Sequence, residues 1–99
     1  MSHAERMKPI LVAAVEAAIK DGFGLVPGWT FEQAEPRICC PIGAEVRTNA
    51  YPFMKFSEKH NLPIGWGCDF AMGFDDKDDN IIFRDAFRLG AWFRKTYVK

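Results

Sequence analysis

The chain has 99 residues, 48% hydrophobic, 14% aromatic and 26% charged, with thirteen basic residues balanced by thirteen acidic ones. That length holds one domain and one core, burying roughly 60 to 65% of the surface the unfolded chain exposes. Zero net charge excludes a global field that would draw the protein to nucleic acid or an anionic membrane, so any such binding needs a local patch.

Residues 1–8 read as a loose arm or separate turn. Ser2 and Glu5 have capping-box spacing, but a helix begun there would carry Pro9 in its interior. Pro9 instead suits a first helical position, and Leu11, Val15 and Ile19 recur every four residues, so the first helix is expected from Pro9 to Lys20, with Gly22 at its C-terminal side. The segment from Phe23 to Cys40 is punctuated by Pro27-Gly28 and Glu35-Pro36 and is the only candidate β region. Trp29 to Phe31 and Arg37 to Cys39 form a possible short hairpin that would have to pack on helices. Pro41 starts a short helix to about Thr48, and Pro52 a third helix to about Lys59, with Phe53 and Phe56 inward.

Pro63 opens the most unusual element. From Gly65 to Phe74 (GWGCDFAMGF) a helix would be apolar on every side except at Asp69. Such a helix is either the centre of the fold or leaves an apolar face open to a partner, with Trp66, Phe70 and Phe74 as interface candidates. The last helix is expected from Ile81 to Tyr97, with Ile82, Ala86, Leu89, Phe93 and Tyr97 as its buried stripe. Gly90 in its interior implies the close passage of another backbone. Asp75, Asp76, Asp78 and Asp79 before it and Arg94, Lys95 and Lys99 at its end complement its dipole, and Asp79 or Asn80 is the expected N-cap.

Candidate chemistry is sparse. Pro52 to Phe74 has the outline of a helix-turn-helix, but between Asn61 and Lys77 there is no Arg, Lys, Asn or Gln to meet base edges or phosphates. The local basic surface is on the last helix, where Arg84, Arg88, Arg94 and Lys95 are the nucleic-acid candidates. The acidic run from Asp76 fails as an EF-hand, with Ile81 where Gly is needed and Phe87 where a bidentate Glu should stand. Cys39, Cys40, His60 and Cys68 are the right number and type for zinc, but adjacent cysteines and the lack of a C-x-x-C pair argue against it, and no cofactor is implied. Cys40 before Pro41 is a potential helix N-cap, a position that lowers a thiol pKa. Asp69, on a helix expected to be buried, either lies at its one exposed edge or is held by a basic partner such as Arg47, Arg84 or Arg88, a structural ion pair. The odd cysteine count and the absence of a signal-peptide layout predict a reducing cytoplasm, and no segment reaches the ~20 apolar residues of a membrane span.

CCPIGA (Cys39 to Ala44), FAMGFDD (Phe70 to Asp76) and AFRLGAWFRKTY (Ala86 to Tyr97) together resemble a class of small bacterial proteins. These share a Cys-Cys-Pro-apolar-Gly-Ala segment, a Gly-Phe-Asp helix end and a final helix with Leu-Gly and Phe-Arg. The resemblance implies a helical single domain and no chemistry. The expected fold is therefore mainly α, four to five short helices with a small hairpin after the first. The expected function is a non-enzymatic protein-binding or regulatory module, working on a partner or as a homodimer. Nucleic-acid binding is the first alternative and a small thiol- or metal-dependent activity the second.

Overall fold

The structure, a computed structural model, describes residues 1–98 and bears out a mainly helical domain with a small sheet after the first helix. Helix α1 runs His3–Lys20, so residues 3–8 are not a separate arm. The Ser2 hydroxyl accepts from the Glu5 N–H and the Glu5 carboxylate accepts from the Ser2 N–H, each at 3.0 Å, which closes the capping box. Pro9 does lie inside the helix and removes one rung of its ladder. Tertiary contacts hold the preceding turn regardless: Met7 is fully buried, Arg6 donates to the His60 carbonyl at 2.7 Å, and the Ala4 N–H donates to Asp85 at 3.3 Å.

Three two-residue strands follow: β1 (Gly24–Leu25), β2 (Phe31–Glu32) and β3 (Ile38–Cys39). The expected hairpin is β2 with β3, antiparallel, with Phe31 opposite Cys39. Trp29 lies outside it and is 52% exposed. β1 adds a parallel pairing to β3, Gly24 opposite Ile38, giving the order β1-β3-β2. On the outer edge of β2, the Asn49 side chain accepts from the Phe31 N–H at 3.1 Å and donates to the Phe31 carbonyl.

Helices α2 (Pro41–Val46) and α3 (Pro52–His60) each open on a proline, as the sequence indicates. α2 stops short of Thr48 because Arg47 turns left-handed, with φ 57°. α4 spans Trp66–Asp75, with Pro63 in the turn ahead of it and Gly65 entering at φ 90°. α5 spans Arg84–Tyr97, and Lys99, expected at its C-terminal end, lies outside the described residues. Ile82 falls before this helix and is 78% exposed, so it does not belong to the buried stripe formed by Ala86, Leu89 and Phe93.

α4 and α5 cross at two glycines. A Cβ on Gly73 would stand 2.0 Å from the Phe87 carbonyl oxygen, and one on Gly90 would stand 2.0 Å from that of Phe70. The close backbone approach expected at Gly90 is thus reciprocal.

Asp69 couples the same two helices. It is buried, but its partners are backbone groups rather than an arginine: its carboxylate accepts from the Ile82 N–H at 3.0 Å and the Phe83 N–H at 2.7 Å. These donors sit at the positive end of α5, whose N-cap Phe83 offers no side-chain cap. Asp69 therefore does the work expected of Asp79 or Asn80, from another helix. Asp69→Ala is expected to cost about 2 to 3 kcal/mol, the range for charge-assisted bonds lost from a buried site, with Asp69→Asn losing less. Urea melts check this, and an unchanged midpoint for the alanine variant would show that α5 starts without this cap.

Candidate functional site

Trp66, Phe70 and Phe74 have no exposed surface. All three belong to the main core cluster, in which Phe56 faces Trp66 at 6.3 Å between ring centroids, Trp66 faces Phe70 at 6.2 Å, and Phe70 meets Phe93 at 5.7 Å. The interface candidates are therefore core. α4 is buried along the face that carries Trp66, Phe70, Gly73 and Phe74, where α5 closes over it at the glycine crossing, while Cys68 on the same helix is exposed.

An open apolar surface lies at the start of α4. Asn61, left-handed at φ 56°, ends α3 and turns the chain. Leu62 then tucks inward, while Ile64 projects into solvent at 97% exposure. Between this turn and α3 runs a groove of about 450 Å³ whose apolar lining includes Phe53, Met54, Leu62, Ile64 and Gly67, with Glu58 and Asn61 among its polar lining. Met54 is itself 54% exposed. The sequence marks Phe53 as inward but gives no sign of Ile64, because its exposure depends on the tight turn that follows Asn61.

The four zinc candidates do not come together. Cys39 packs in a smaller cluster with Ala18, Phe23, Phe31 and Ala44, and Cys68 is exposed on α4. His60 is engaged by Glu45, its Nε2 lying 2.5 Å from the carboxylate. Among the described residues no three His, Cys, Asp or Glu side chains converge on one point. Cys40 does cap α2, its Sγ accepting from the Gly43 N–H at 3.3 Å. The lowering of the thiol pKa that this position favours does not prevail, however. Burial pushes Cys40 up to about 12 and Cys39 up to about 11, outweighing the helix N-terminus, and Cys68 is raised by burial and by the neighbouring Asp69 charge. None of the three is an activated nucleophile.

The Glu45–His60 pair was not legible in the sequence, fifteen residues apart and on different helices. Lys59 donates to the other Glu45 oxygen at 2.9 Å. Burial alone would raise the Glu45 carboxyl, but the hydrogen bonds from His60 and Lys59 prevail and hold it below its ordinary value of 4.5. A carboxyl depressed by folding contributes stability above its unfolded pKa and loses it as pH falls through the folded value. Stability is therefore expected to drop below about pH 4.5, and Glu45→Gln to flatten that part of the profile. Equal slopes in thermal melts of the two proteins across this window would show that the pair carries no linkage.

Arg84, Arg88 and Lys95 are exposed along α5, and Arg94 pairs with Asp76 at 3.4 Å. Among the described residues no helix is long and apolar enough to cross a membrane. No protein-family model, curated protein or solved structure matches this chain. A functional reading accordingly rests on the surfaces themselves.

Proposed function

We propose that the protein is a non-enzymatic binding module and that the groove between α3 and α4 receives an apolar anchor side chain from a partner protein. The observation that carries this reading is Ile64, 97% exposed on the rim of an apolar groove. The groove's volume of about 450 Å³ would also suit a small ligand. Such a ligand would cover only the groove-facing side of Ile64 and Met54, whereas a protein surface closing over the rim would bury both more fully, which favours the protein. A second copy of the chain is one such partner.

The test has two arms. Light scattering at two concentrations reads self-association. Selection from a displayed random-peptide library on the immobilised protein reads binding to other chains. A homodimer lost in Ile64→Asp, or apolar-anchored peptides whose binding is lost in Ile64→Asp and Met54→Ser, supports the reading, provided that both variants melt as the parent does. A monomer that selects no groove-dependent peptide overturns it.

A further inference from the structure

We propose that a second groove, along the outer face of α5, binds single-stranded nucleic acid. It is lined by Arg88, Ala91, Trp92, Arg94, Lys95 and Val98, encloses about 650 Å³, and has no carboxylate in its lining. Arg88 and Lys95 are seven residues apart on one helix, a rise of about 10 Å, so their charges address an extended anion rather than a single phosphate. Both are exposed, and neither makes an ion pair among the described residues. The face is cationic, with acid at its margins: Asp76 pairs with Arg94 at 3.4 Å, and Glu5 and Asp85 line the adjoining recess with Lys8 and Trp92.

Trp92 identifies the type of anion. Its ring is held edge-on by Phe93, at 5.0 Å and 86°, and by Tyr97, at 6.3 Å and 78°. The Lys8 ammonium lies over the ring, 4.0 Å from its centroid. That lid is a single flexible, exposed side chain. A base can displace it and stack on the indole, and the released ammonium can then meet a phosphate. Phosphates on Arg88, Lys95 and Lys8 with a base on Trp92 reproduce the alternation of cations and aromatic platforms that binds unpaired strands. An acidic peptide would match the charges but leave the indole unused, and paired bases cannot stack on it.

The experiment is a fluorescence-anisotropy titration of labelled oligo-dT and oligo-U at ~50 mM salt, repeated at higher salt. Three phosphate contacts predict a log–log salt slope of about −2. Arg88→Glu with Lys95→Glu, both at exposed positions, is expected to abolish binding. Trp92→Ala is expected to weaken binding about tenfold or more, with Trp92→Phe restoring most of it because a stacking face remains. Ile64→Asp, on the other groove, is expected to leave the titration unchanged. No binding at ~50 mM salt overturns the proposal. So does equal binding of poly-glutamate or of a duplex, or a Trp92→Ala variant that stays folded and keeps full affinity, since each would reduce the face to a general polyanion surface.

Discussion

Gly90→Ala is expected to destabilise the protein by about 3 kcal/mol or more, although alanine would by itself favour the helix by ~1 kcal/mol. The added methyl would stand 2.0 Å from the Phe70 carbonyl oxygen and 2.8 Å from the Phe74 nitrogen, both backbone atoms of α4 that no rotamer change can move aside. The helices must separate, and the loosened packing along their crossing outweighs the gain in propensity. Gly73→Ala should act alike, because its methyl would meet the Phe87 carbonyl oxygen at 2.0 Å. Both changes open the same interface, so the double variant is expected to cost less than the sum of the two: once the helices have parted for one methyl, the second has room. Urea melts of the four proteins test this cycle. A Gly90→Ala variant as stable as the parent would mean that the crossing is looser than the structure has it.

Trp66→Ala is expected to cost about 3 to 5 kcal/mol, the range for removing a large aromatic side chain from a core. That is a large part of the roughly 5 to 15 kcal/mol that holds a typical domain together. Trp66 is fully buried between Phe56 and Phe70, and its indole N–H donates to Asp85 at 3.3 Å. The same Asp85 oxygen accepts from the Ala4 N–H at 3.3 Å, so the variant also weakens a link from α4 through α5 to the start of α1. Thermal melts should show Trp66→Ala and Phe70→Ala far below the parent, with Ile64→Asp close to it. A folded Trp66→Ala variant with the parent's melting temperature would contradict its place in the core.

The parts of this fold legible in the sequence are those decided by one residue's own chemistry. Pro41 and Pro52 open helices because a first helical residue has no use for its N–H, and Gly90 announces a close backbone because nothing else justifies glycine there. The failures occur where a distant partner decides. Pro9 stays inside α1 because Met7, Arg6 and Ala4 are fixed by other elements. α5 starts at Arg84 rather than Ile81, and the Ile82 and Phe83 N–H groups just ahead of it are taken by Asp69, which no local pattern links to them. β1 is two residues long, and its parallel partner lies beyond β2 in the chain, so it has no periodicity to read. The apolar character of α4 was plain, but whether it faced inward or outward depended on α5 closing over it. The groove beside Ile64 was hidden for the same reason: it is a product of one turn's geometry, not of composition.

The Asn49 side chain, lying along the outer edge of β2 and meeting both backbone groups of Phe31, bears on how this protein can assemble. An edge strand with free N–H and C=O groups is a template on which another chain can extend the sheet. Here a side-chain amide occupies the place that an incoming strand would take, much as a terminating unit ends a polymer. Growth by strand addition is capped at that edge without a proline, a bulge or a charged residue at Phe31 itself. Association on that side is therefore confined to contacts between side chains, which sets the α3–α4 groove and the face of α5 apart from main-chain pairing as routes to a partner.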